Sequence, residues 1–379
     1  MSFPGSARVA LRNEPCLRWT IAAFVLVFAG LAISCGSSSS SKSATHNAYI
    51  TLPAGSVQLL HLNNSTGAIT LGAQTPPVAG TTPTGLALHP SKKFLFAANS
   101  AANTISVFNV ASNGTLTLST LTPAGVGPRG MVLDPSGQYL LVTNTVSNSI
   151  SVFSVDAGSG ALTEVAGSPF PSNNGPTEIL ITPSGKFVYV TNPSIGFITA
   201  YTFAGGVLSQ VTGSPYASGA GVGALAVESG EQFLYTANTI ANTISGFAIN
   251  STSGALTAVP GSPFSSAAGT GPSAMSMDTV NKFLYVATQG SSFSIWAFTW
   301  DSATGTLTPA SNSPFNLLSA GGLFLVMEPD GGFFYVGNSQ SGANNIAAFQ
   351  YSSGNAAPTT VTGSPFSIGS APGKMVISH

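Results

Sequence analysis

One segment recurs seven times along this chain at intervals of 45 to 50 residues. It consists of a short apolar run ending in Asn, a polar loop, an Ile-x-x-Phe strand, a Gly turn and a Leu-Thr strand. The clearest copy opens with Phe187-Val188-Tyr189-Val190-Thr191-Asn192, and its siblings end at Asn99, Asn144, Asn238, Thr288 and Asn338, with a degenerate first copy at Leu52. Four short β-rich runs within such a period describe a propeller blade, whereas a helical solenoid would show apolar residues at 3.6 spacing. The repeat therefore predicts an all-β chain folded as a seven-bladed β-propeller, with four antiparallel strands per blade.

Two further columns keep the period. The third strands read Ile105-x-x-Phe108, Ile150-x-x-Phe153, Ile198-x-x-Tyr201, Ile244-x-x-Phe247, Ile295-x-x-Phe298 and Ile346-x-x-Phe349, and the following turns carry Gly67, Gly114, Gly160, Gly206, Gly254, Gly305 and Gly354. Glycine there supplies the positive φ of a tight hairpin. Ser-Pro-aromatic elements close five blades at Phe170, Tyr216, Phe264, Phe315 and Phe366, where proline is expected to stop the outer strand and turn the chain toward the next blade. The first copy lacks a first strand. Residues Ala371 to His379 align with the first-strand segments Thr82–Pro90 and Gly127–Pro135, so the C-terminal strand is expected to close the first blade.

The N-terminus reads as a lipoprotein-type signal peptide over residues 1–34, a Ser-rich linker over 35–46, and the propeller over 47–379. Arg8, Arg12 and Arg18 precede a 15-residue apolar stretch from Trp19 to Ile33, which is short for a spanning helix and suits a secretory leader. Leu31-Ala32-Ile33-Ser34-Cys35 resembles a bacterial lipobox. It implies lipidation of Cys35, a membrane partner through that anchor, and an extracytoplasmic location in a bacterial cell envelope. Cys16 lies inside the leader, leaving the propeller no disulfide or cysteine metal cluster.

Only 6% of residues are charged, against roughly 25% in an average soluble protein. Beyond the leader remain seven basic and ten acidic side chains, with one arginine among them. Such sparse, scattered positive charge excludes the basic face that phosphate backbones require, so no nucleic-acid partner is expected.

Tyr-Val-Thr-Asn at 189–192, Leu-Val-Thr-Asn at 141–144 and Tyr-Thr-Ala-Asn at 235–238 resemble the YVTN repeats of the lactonase-like seven-bladed propellers. That family includes 6-phosphogluconolactonase and muconate-cyclising enzymes, as well as surface-layer and lipoprotein members. The resemblance covers roughly Asn47 to His379 and implies a lactone-opening site at the mouth of the central channel.

First strands set in register show which polar side chains face that mouth. The position after the opening proline holds Thr84, Arg129, Thr177, Gly223, Ser273, Leu323 and Gly373, and the next holds Gly85, Gly130, Glu178, Ala224, Ala274, Phe324 and Lys374. Lactone hydrolysis needs a base to activate water and cations to hold an anionic substituent and the developing oxyanion. Glu178 is the candidate base, Arg129 and Lys374 are the candidate clamp, and Thr84, Thr177 and Ser273 are candidate ligand contacts. The repeat is expected to place the three charges in blades one, two and three, in adjacent sectors. Arg129 beside Glu178 also suits an inter-blade ion pair.

His89 belongs to a column with Asp134, Thr182, Glu228, Asp278, Glu328 and Ser378 that precedes turns, where such side chains bond the turn backbone. The Asn column is expected to satisfy backbone groups or to take a left-handed conformation. His46 and His61 lie at the ragged start and His379 at the end, and no cofactor or metal motif appears. With so few channel charges, the leading expectation is a membrane-tethered binding or interaction scaffold, with a lactonase-type hydrolase as the alternative. Its partners would be a small carbohydrate or lactone, or an envelope protein.

Overall fold

A computed structural model of the chain describes residues 45–378, apart from 79–82, 267–269, 279–282, 290–292, 317–320, 339–341, 343 and 353. The leader, Cys35 and His379 lie outside the described residues. Seven separate antiparallel sheets follow one another, and their first strands touch in succession round the ring, the last meeting the first. Blade one holds the strands Met375–Ile377, Thr45–Leu52, Ser56–Asn63 and Ile69–Gln74, so the C-terminal segment closes it as the repeat requires. Closure rests on a short register: Ala48 faces Ile377, Tyr49 faces Val376 and Ile50 faces Met375. The first described strand begins at Thr45 and takes in the last two residues of the expected linker.

The second strand of each blade is buried along most of its length, and throughout in Phe187–Asn192 and Phe233–Asn238. It is covered on both faces by neighbouring blades, which explains why its sequence is a continuous apolar run rather than an alternating one. The core is accordingly divided into seven clusters, most of them combining residues from two adjacent blades.

Tyrosine and glycine columns meet across those interfaces. Tyr49 donates its hydroxyl proton to the Gly114 carbonyl at 2.9 Å, Tyr189 to Gly254 at 2.9 Å and Tyr235 to Gly305 at 2.8 Å, in each case reaching the hairpin of the next blade. Burial pushes the Tyr49 hydroxyl up to about 12, so it remains a donor at any physiological pH. The hairpin glycines lie against the ring that opens the preceding blade's second strand: Gly254 on Phe187, Gly305 on Phe233 and, across the closure, Gly67 on Phe333. Gly305 has φ +72°, and a Cβ there would overlap the Phe233 ring. Glycine is thus required both by the turn and by the packing.

The Ser-Pro-aromatic element differs from its expected role. The outer strand does not end there: Leu162–Glu164 and Phe170–Pro171 both pair with Ser149–Val155, and the Ser168-Pro169 peptide between them is cis. The serine hydroxyl supplies the acceptor that the interrupted ladder lacks. The amides of Val152, Ala200, Gly246, Ala297 and Ala348 donate to Ser168, Ser214, Ser262, Ser313 and Ser364 at 2.9–3.0 Å. A buried N–H left unpaired would be costly, which accounts for the serine in all five copies.

Tyr235→Phe is expected to reduce unfolding free energy by about 1–3 kcal/mol, because it strands the buried Gly305 carbonyl. Gly305→Ala should cost more, since strain and overlap add. Chemical denaturation would measure both, with exposed Leu118→Ser as a control expected to stay within about 0.5 kcal/mol of wild type.

Candidate functional site

At the channel mouth the first strands enter through irregular pairing. The register shifts between Pro83 and Gly85, Pro128 and Met131, Val222 and Leu225, Pro272 and Ala274, and Gly322 and Phe324. Bulges leave a backbone group unpaired and re-aim the side chain beside it. In three blades a threonine hydroxyl accepts an amide at or just before the first strand: Gly130 N–H, inside its bulge, to Thr143 at 2.9 Å, Glu178 N–H to Thr191 at 3.1 Å and Lys374 N–H to Thr51 at 2.9 Å. Thr143 and Thr191 are the threonines of the Val-Thr-Asn triplets, which therefore fix the backbone next to Arg129 and at Glu178.

Arg129, Glu178 and Lys374 all line one cavity of about 490 Å³ at this mouth. Lys374 Nζ donates to Glu178 Oε1 at 2.6 Å, with side chains 37% and 27% exposed. The expected placement in adjacent blades is corrected by the sheets: Lys374 precedes the closing strand of blade one, Arg129 lies in blade three and Glu178 opens blade four. The channel is narrow enough at the mouth for a lysine to span it. Nor does Arg129 form the expected inter-blade ion pair with Glu178, and no hydrogen bond or ion pair to its exposed guanidinium occurs among the described residues.

Enclosure in the cavity wall disfavours charge on Glu178. The Lys374 ammonium, its hydrogen bond and the field of Arg129 outweigh that penalty and hold the carboxyl below its ordinary value of 4.5. At neutral pH the mouth therefore holds one carboxylate and two cations, a surplus of one positive charge suited to an anionic ligand.

The three candidate hydroxyls are occupied. Thr84 donates to the Pro128 carbonyl at 2.9 Å and Ser273 to the Gly322 carbonyl, each linking its blade to the next. Thr177 is buried and bonds Thr191 at 2.9 Å. Ser273 and Thr177 still line the cavity, but Thr84 does not. Gln289 also lines it and was not anticipated. It stands one residue past the Asn column, where Thr145 and Thr239 bond the next blade's Pro176 and Pro272 carbonyls. An amide among those hydroxyls was the available signal.

The turn and Asn columns act as scaffold. His89 donates from Nε2 to the Gly137 carbonyl at 3.0 Å while Nδ1 accepts the Ser91 amide at 3.1 Å, and Asp134 accepts Tyr139 N–H at 2.6 Å. Asn99, Asn144 and Asn238 are buried and donate to hydroxyls on the following strand, as Asn144 does to Ser149 and Ser151 at 3.1 and 3.0 Å. The left-handed conformation falls four residues later, on Asn103, Asn148 and Asn242.

A cavity that gathers three charged side chains at the mouth of a seven-bladed ring defines the chain as a β-propeller with a candidate site at its channel mouth. The family described as "Lactonase, 7-bladed beta-propeller" matches residues 48–169 and 208–317, and the chain belongs to it. The fold is similar to that of a 6-phosphogluconolactonase candidate from Bacteroides fragilis (TM-score 0.75, 18% identity, covering 89% of this chain and 99% of that one). A counterpart from Bacteroides uniformis gives 0.74 at 16% identity, covering 88% and 100%, and the periplasmic gluconolactonase of Pseudomonas aeruginosa gives 0.73 at 17%, covering 88% and 99%. No curated protein sequence matches the chain.

A depressed carboxyl pKa contributes stability that is present above the unfolded value and lost as pH falls through the folded one. Wild type should therefore be more stable than Glu178→Gln at pH 7, and the gap should close below 4.5 toward pH 3. Urea titrations of both proteins at the two pH values would measure it.

Proposed function

We propose that the channel mouth binds and opens a sugar lactone that carries an anionic substituent. The observation that carries this reading is the convergence of Arg129, Glu178 and Lys374 on one cavity, in a chain where charge is scarce elsewhere. Membership of the lactonase family and the similarity in fold to a periplasmic gluconolactonase support it over a purely passive platform.

In this reading Arg129, unpaired among the described residues, receives the carboxylate or phosphate of the ligand. That anion also draws Lys374 away from Glu178, freeing the carboxylate to take a proton from water as the water attacks the lactone carbonyl. The carbonyl π electrons move onto oxygen, and Lys374 donates a hydrogen bond to the oxyanion. Collapse of the tetrahedral intermediate breaks the ring C–O bond, and the proton held by Glu178 passes to the leaving alkoxide. The cross-channel pair would thus keep the base ionised but occupied until an anion arrives.

We further propose that Cys35 tethers the domain outside the cytoplasm, on the strength of the lipobox-like residues. Interaction with an envelope protein is the second reading, motivated by the scaffold duties of most polar columns.

Purified protein should hydrolyse 6-phosphogluconolactone or gluconolactone. Glu178→Gln should lower kcat by about 10²–10⁴-fold, while Arg129→Ala should chiefly raise KM for the phosphorylated substrate. Absence of turnover on both lactones would leave the interaction reading in its place. Cys35→Ala should move the protein from the membrane to the soluble fraction on cell fractionation, and unchanged retention would rule out this tether.

A further inference from the structure

The cavity at the mouth has two unlike sides. The Lys374–Glu178 bond runs from blade one to blade four, and the ring order leaves Arg129 of blade three on one side of it and blades five, six and seven on the other. On that second side the lining includes Ala224, Leu225, Met275, Leu323 and Val326, and among the described residues no charged side chain of these blades reaches the cavity. The hydroxyls there are committed to the framework: Thr239 donates to the Pro272 carbonyl at 2.8 Å and Ser273 to the Gly322 carbonyl.

We propose that the lactone accepted at this mouth carries, besides its anion, an apolar alkyl or aryl arm that lies against blades five to seven. The arm adds to the lactone-opening reading above, on which it rests, the chemistry of the ligand's far end. Two departures from the repeat carry it. Leu323 occupies the column that holds Arg129, Thr177 and Ser273 in other blades, and its side chain is 38% exposed at the cavity. The fold leaves that apolar surface in water, and a ligand that covers it removes it. Gly223 occupies the same column in blade five, and neither turn nor packing requires a glycine there. A Cβ on Gly223 would meet only the Gly221 carbonyl oxygen and the Thr239 hydroxyl, both at an ordinary 3.9 Å, and its φ lies outside the left-handed region. Gly373 in this column, with Gly85 and Gly130 in the next, is the contrast, because a Cβ on any of them would overlap a neighbouring oxygen. The space beside Gly223 therefore belongs to the cavity and not to the packing.

The apolar wall also continues along the first strands. A second cavity of about 370 Å³ shares Leu225 and Met275 with the first and is lined further by Leu180, Val227 and Met277 of blades four, five and six. An anion on Arg129 and an arm on the opposite wall would hold the body of the ligand across Glu178 and Lys374, where the lactone carbonyl has to lie. Small-molecule sites are commonly apolar with a few polar groups that fix orientation, and the three charges suit that part. A fully hydroxylated tail on the far side would set its hydroxyls against Leu323 and Leu225, with nothing to replace the water they lose.

Calorimetric titration of the purified protein with ethyl, butyl and hexyl phosphate, which share one charged group and differ in apolar length, reads this wall without any turnover. Affinity is expected to rise about threefold per buried methylene, so that hexyl phosphate binds at least about tenfold tighter than ethyl phosphate. Leu323→Asn and Gly223→Leu should each flatten that dependence on length, whereas Leu323→Met, which keeps the apolar surface, should preserve it. Arg129→Ala should weaken all three esters alike. The proposal is overturned if wild type binds the three esters equally or not at all, or if Leu323→Asn and Gly223→Leu both keep the wild-type dependence. A steep dependence without turnover of any lactone would strike the hydrolase reading and support the apolar wall, while turnover with a flat dependence would remove the arm alone.

Discussion

Everything in this ring depends on how one blade grips the next. A four-stranded sheet with both faces apolar cannot stand alone in water, so each blade's stability belongs largely to its interfaces. The Tyr hydroxyl to hairpin carbonyl bond, with the hairpin glycine seated on the neighbour's opening aromatic ring, fixes the angle and height at which successive blades meet. Hydroxyls of Thr84, Thr145, Thr239 and Ser273 add inter-blade bonds at the mouth. An interior built from hydroxyl-to-carbonyl links needs few charges, and the chain has few.

That economy gives the mouth its character. Where neutral hydroxyls are absorbed by the framework, a charged side chain left in the cavity is not needed for blade contact. Arg129 has no hydrogen-bond or ion-pair partner among the described residues, and the Lys374–Glu178 bond spans the ring instead of joining neighbours. Threonines on the adjacent strands set the backbone at Gly130, Glu178 and Lys374, so the strand framework itself carries these groups.

The architecture was legible because each blade repeats the same physical requirements. Buried second strands must be apolar, hairpins must admit positive φ, and the Asn column must meet hydroxyls, so the residues recur in register. The candidate site was less legible because it lies in departures from the repeat. Column alignment identified Arg129, Glu178 and Lys374 as exceptions, yet it carried no information about distance across the channel. It therefore placed Lys374 in the wrong sector relative to Glu178. Thr84 shows the opposite limit: a hydroxyl at a mouth position looks like a ligand contact until the neighbouring Pro128 carbonyl is seen to occupy it. The pairing of His46 with Glu328 was hidden for a similar reason, since most of the chain separates them.

The closing strand links the two halves of this picture. Lys374 immediately precedes Met375–Ile377, and its amide and carbonyl are held by Thr51 of the N-terminal strand. The cation that spans the mouth is thus delivered by ring closure itself. At the other end of the same blade His46 meets blade seven, where the interface is less complete: the Tyr335 hydroxyl is buried without a hydrogen-bond partner among the described residues, although Phe333 still receives Gly67. Because the mouth needs Lys374 in place, whatever strengthens the junction of blades seven and one also preserves the charge arrangement on which ligand binding would rest.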